Sequence, residues 1–152
     1  MSGKHKSTLK RRWTADPTSL MRVMARIQPF TPEERTRLEL PIRVSFEALK
    51  TGVATPQDFH DIHAAINVAF VRAESIDPVA ESAARTAQEA MIRTWERYLR
   101  VGKLGLDGPA MSEIEVGIDL HEQLVKLSTP IELVNAAKEV IRRGYGKQVR
   151  HV

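Results

Sequence analysis

Apolar residues recur every three or four positions along most of the chain, and the same two-residue signal opens each stretch. Asp16-Pro17, Thr31-Pro32, Thr55-Pro56, Asp77-Pro78 and Thr129-Pro130 each set a side-chain oxygen directly before a proline. Such an oxygen accepts a hydrogen bond from a free N–H of the first helical turn. Proline suits the next position, where an N–H would have no partner in any case. Three of the five add an acid at the third helical position: Glu34, Asp58 and Glu132. Glu34 and Glu132 complete a capping box, in which the acid also accepts from the cap residue's own N–H, and Asp58 approximates one.

The stretches behind these caps have helical spacing. From Pro17 to about Gln28, Leu20, Met24 and Ile27 fall on one side. From Pro32, Leu38, Ile42, Phe46 and Leu49 form a stripe that Gly52 should end. Pro41 lies inside it and predicts a kink or a split, because it removes a backbone hydrogen bond. From Pro56 to about Ser75 the stripe is Phe59, Ile62, His63, Ile66, Phe70 and Ala73. Its uncharged middle predicts burial on more than one side and is apolar enough to face a second subunit. From Pro78 to Val101 run Ala80, Ala84, Ala87, Met91, Trp95 and Tyr98, and Gly102 to Pro109 reads as a loop. Two more helices follow, about Ala110 to Leu127 through Ile114, Ile118, His121 and Val125, and Pro130 to Arg143 through Ile131, Val134 and Ile141. No alternating β-branched run competes.

The expected fold is therefore all-α, a single-domain antiparallel helical bundle of about five to six helices over residues 16–143. A basic, flexible N-terminal tail would occupy 1–15 and a basic C-terminal tail 144–152.

The 152 residues suit one domain, which would bury roughly 68–70% of its unfolded surface. The absence of cysteine excludes disulfides, thiolate metal sites and a cysteine nucleophile. The longest uncharged run, Ile62 to Val71, is ten residues, about half of a bilayer span. The basic first residues have no apolar stretch behind them, so no signal peptide, no membrane partner and a cytoplasmic location are expected. The net charge of +4 is unevenly spread. Residues 1–12 carry +5 and residues 138–152 carry +4, which leaves −5 between them.

Candidate chemistry follows that division. Lys10, Arg11 and Arg12 precede Trp13, and Arg142, Arg143 and Lys147 flank Tyr145. Cations neutralise phosphates and an aromatic ring can stack on an unpaired base, so these eight residues are candidates for nucleic-acid contact. The competing reading has solubilising tails, with Trp13 anchored on the bundle. Without a helix-turn-helix, any such contact would be electrostatic and weakly selective. A second candidate is His60 and His63, three apart on a helix beside Asp58 and Asp61, with His121 as a third metal ligand. Against it, Glu-x-x-His and His-Glu-x-x-His are both absent, and His63 sits on an apolar stripe. No nucleophile elbow or phosphate-cradling glycine loop occurs, so neither an enzyme nor a cofactor is expected. Arg85, Glu89, Arg93, Glu96, Arg97 and Arg100 line one side of a helix, where Glu89–Arg93 and Glu96–Arg100 have ion-pair spacing. A solvated face or a partner-binding face would account for them.

Four segments carry a resemblance: Lys4-His-Lys-Ser-Thr-Leu-Lys-Arg-Arg-Trp13, Ile27-Gln-Pro-Phe-Thr-Pro-Glu-Glu34, Ser45-Phe-Glu-Ala-Leu-Lys-Thr-Gly52 and Ala64-Ala-Ile-Asn-Val68. In them the chain resembles short, mostly uncharacterised helical accessory proteins of proteobacterial phages, plasmids and integrated elements. The resemblance implies an accessory role in a mobile element and brings no catalytic residues with it. The leading expectation is a non-enzymatic binding protein whose basic ends meet nucleic acid or a nucleoprotein complex. A protein-interaction module (an inhibitor or assembly factor) is the alternative, and a metal-dependent enzyme built on the histidines is the third.

Overall fold

Every cap signal within the described residues starts a helix. The computed structural model describes residues 27–144, and these form α1 (Pro32–Thr51), α2 (Pro56–Glu74), α3 (Pro78–Val101), α4 (Gly108–Leu127) and α5 (Pro130–Arg143), with no strand among them. The predicted helix beginning at Pro17 and most of both basic ends lie outside the described residues. Thr31, Thr55 and Thr129 make reciprocal capping boxes with Glu34, Asp58 and Glu132. The shorter Asp58 closes its box fully, with its Oδ2 accepting from Thr55 N at 2.8 Å.

Two boundaries differ from expectation. Pro41 does not split α1, which runs unbroken through it. Proline leaves unpaired only the carbonyl four residues back, on Arg37, and both residues are exposed. The fully buried part of the helix, Ser45, Phe46 and Leu49, lies beyond the defect. The second difference is the start of α4, at Gly108 rather than Ala110, where Asp107 is the N-cap and accepts from Ala110 N at 2.7 Å. Gly108 separates this cap from Pro109 and hides the signal.

The core is assembled around α2, which packs against each of the other four helices. Phe59, Ile62 and Ile66 of α2 meet Phe46 and Leu49 of α1, Met91 and Trp95 of α3, and Ile114 and Ile118 of α4. Its apolar middle is buried within the one chain. Connections of three to six residues make α1 to α4 antiparallel in turn. The α1 and α3 C-termini thus share one end of the bundle with the α2 and α4 N-termini.

At the opposite end Arg72 joins three elements. It donates to Ser128 Oγ after α4 at 2.8 Å and to Glu132 of α5 at 2.6 Å. Arg143, eleven residues after Glu132, reaches Glu74 in the last turn of α2. Eleven helical residues span about 16 Å, so α5 crosses the end of α2 instead of running alongside it. No helix among the described residues is long and apolar enough to cross a membrane.

Candidate polyanion interface

The sequence candidates separate once placed. Lys10, Arg11, Arg12, Trp13, Tyr145 and Lys147 lie outside the described residues. Arg142 and Arg143 are described, and both are engaged. Arg142 pairs with Glu139, and Arg143 pairs with Glu74 and with Glu139 at 2.9 Å. Hydrogen bonds from Arg142 and then Arg143 hold the Glu139 carboxyl down to about 2. Their charge is compensated by α2 and α5 themselves, which weakens them as phosphate contacts.

The histidines also have structural settings. His63 is buried, as its stripe position implied. His60, expected on the wet side, is half-buried with its ring 5.2 Å from that of Trp95. Asp61 is exposed and accepts from Gln57 at 2.7 Å. His121 is buried on α4, and burial pushes it down to about 4. Among the described residues no three His, Asp or Glu side chains are grouped as metal ligands would be.

The arginine-lined side of α3 was expected to be tied up by Glu89–Arg93 and Glu96–Arg100. Neither pair forms. Arg93 instead reaches Glu113 of α4 at 2.6 Å, and the intrahelical pair on α3 is Glu81–Arg85 at 3.1 Å. Arg97 and Arg100, together with Lys103 just after the helix, have no acidic partner among the described residues.

Arg97 and Lys103 border a polar concavity of the bundle. A pocket of about 430 Å³ opens where the C-termini of α1 and α3 and the α3–α4 loop converge. Lys50, Thr51 and Gly52 form one wall, Arg97 and Val101 a second, and Lys103, Gly105 and Leu106 the third. Three of the eight lining residues are cations, and none is an acid. Both helices end on glycine in the left-handed region, Gly52 at φ 77° and Gly102 at φ 73°. The end of the Lys103 side chain passes close to Gly52. A Cβ there would lie 3.3 Å from Lys103 Cε and 3.5 Å from Nζ. Lys50 lies 4.9 Å from the centre of the Phe46 ring and pairs with Glu47 at 2.5 Å.

The sign of the potential is set by the side chains. A helix C-terminus carries about half a negative charge and an N-terminus the opposite. The pocket is lined by the C-terminal turns of α1 and α3, so the backbone there is partly negative and the side-chain cations have to outweigh it. Glu47 offsets Lys50, and Asp107 is occupied in capping α4. Arg97 and Lys103 keep their charge, with Arg100 one turn from Arg97. Among the described residues Arg35, Arg37, Lys126 and Lys138 also lack acidic partners, but none of them lines this pocket. The signal in the sequence was a cation beside each C-capping glycine, Lys50 before Gly52 and Lys103 after Gly102.

Compared with known proteins, the chain matches no family model, and no curated protein or solved structure is significantly similar to it. The comparisons thus assign no role to any residue.

Proposed function

We propose that the chain is a non-enzymatic helical binding protein that holds a phosphate-rich polyanion, namely nucleic acid or the nucleic-acid part of a nucleoprotein complex. One observation carries the reading: Lys50, Arg97 and Lys103 converge on a pocket with no acidic lining. They do so on a body that is otherwise acidic, since residues 27–144 hold 14 Lys and Arg against 18 Asp and Glu. Concentrating cations at one end of a net-anionic body steers a polyanion toward that face. The five cations of residues 1–12 add to the attraction by composition. Arg142 and Arg143 contribute less than their position in the sequence suggested.

The test is binding of short mixed-sequence DNA and RNA, followed by fluorescence anisotropy. Affinity should fall tenfold or more between about 50 and 200 mM salt if several phosphates are neutralised. Replacing Arg97, Arg100 and Lys103 together by alanine should weaken binding severalfold at fixed salt. An absence of binding at low salt overturns the proposal.

A protein partner is the second reading, favoured by Leu40 and Val44, 58% and 59% exposed one turn apart on α1. It expects a defined partner to survive nuclease treatment in a pull-down and to be lost when both residues become aspartate.

A further inference from the structure

The number and origin of the cations in the basic pocket bear on which phosphate it suits. A phosphodiester in mid-strand carries one negative charge, whereas a terminal phosphomonoester carries about 1.5 to 2 near neutral pH. The space between Gly52 and Leu106 is an open concavity of about 430 Å³. Its cations approach from separate elements: Lys50 from α1, Arg97 from α3 and Lys103 from the loop. The Lys103 ammonium passes beside Gly52, 3.5 Å from where a Cβ would stand. Val101 and Leu106 supply an apolar wall beside these charges. A group with a compact double charge at one end and a flat, less polar body fits that arrangement.

We infer that the pocket formed by Lys50, Gly52, Arg97, Val101, Lys103 and Leu106 is a subsite for a phosphomonoester, taking the terminal phosphate of a nucleotide-bearing ligand. The phosphate dianion sits between the Arg97 guanidinium and the Lys103 ammonium, with Lys50 behind them. Arginine offers a paired set of donors to two phosphate oxygens, and lysine acts as a point charge. The sugar and base lie against Val101 and Leu106. The inference rests on the polyanion reading above and deepens it, because it names which phosphate the bundle recognises. The same chemistry occurs at the end of a strand and on a free nucleoside monophosphate, and the experiment separates the two.

Binding of one oligonucleotide sequence is measured in 5′-phosphorylated, 3′-phosphorylated and unphosphorylated forms, on the full chain at fixed salt. A nucleoside monophosphate and inorganic phosphate are titrated separately by calorimetry. An end-phosphorylated strand should bind at least about fivefold tighter than the unphosphorylated one. Arg97→Ala and Lys103→Ala should each remove most of that preference, with the helical circular-dichroism signal unchanged. Both residues are exposed and unpaired, so neither change should disturb folding. Equal affinity for all three strands, with no monophosphate binding, overturns the subsite and leaves the polyanion reading standing. A preference that survives both substitutions overturns the pocket as its source. Monophosphate binding that Lys103→Ala abolishes, without any strand binding, supports the subsite while overturning the nucleic-acid reading. Binding of no probe overturns both.

Discussion

Gly117 stands where α4 comes close to α3 and α2, with no room for a side chain. A Cβ added there would lie 2.5 Å from the Ala87 Cβ of α3 and 3.3 Å from Ile66 Cγ1 of α2. Alanine is favoured over glycine inside a helix by about 1 kcal/mol, so propensity alone predicts that Gly117→Ala stabilises. The contact predicts the reverse, because overpacking a dense core costs about 1–3 kcal/mol. The steric effect should win, and thermal unfolding should show a lower Tm. A raised Tm would mean that α3 and α4 can move apart freely. His121 makes the other prediction at this scale. It is buried with Nδ1 unpartnered, and burial takes it from 6.5 down to about 4. A lowered histidine is neutral in the fold, so its stabilising effect is complete above the unfolded value and is lost as protons bind the unfolded chain. Stability should therefore fall from pH 6.5 to 4, by about 3 kcal/mol across the window. Urea denaturation at several pH values should show this slope, and His121→Leu should flatten it.

At the scale of elements, the caps were legible because capping is local: an oxygen, a proline and an acid within four residues decide where a helix begins. Asp107 escaped notice only because Gly108 stands between it and Pro109. The fate of Pro41 was not legible, since it depended on whether the freed Arg37 carbonyl would face water. Nor was the basic pocket. Lys50 and Lys103 are separated by more than 50 residues, and Arg100 looked satisfied by Glu96 until the helix was placed among its neighbours. Ion pairs across helices, such as Arg93–Glu113, leave no mark on spacing within one helix. The same contrast between local and distant contacts singles out α5. It packs mainly on α2, and Ala136 is its only fully buried residue. What fixes it is polar: the Thr129–Glu132 capping box, Arg72 on Glu132, and Arg143 on Glu74. Glu132 is held below the usual carboxylate range, first by the Thr129 N–H and then by its hydroxyl. Polar, half-exposed anchoring yields a segment that opens before the rest. Amide exchange should be faster along α5 than along α2, and Glu132→Ala should accelerate it severalfold in α5 while leaving α2 slow. Uniform exchange across both helices would contradict this hierarchy.

For the molecule as a whole, the question is whether its separated cations grip one ligand. The slope of log affinity against log salt counts the phosphates neutralised, at about 0.7 per contact for a single strand. Replacing Arg97, Arg100 and Lys103 by alanine should lower that slope by about 2 if all three make contact. Deleting residues 1–12 removes five cations and should lower it independently. If both regions hold the same strand, the combined variant should lose the sum of the two changes. The net-negative body sharpens the test, because a polyanion that leaves the basic end gains little attraction from the rest of it. An unchanged slope in the triple variant would show that these residues are merely solvated. A slope lost only with residues 1–12 would place the whole interaction at the N-terminal end.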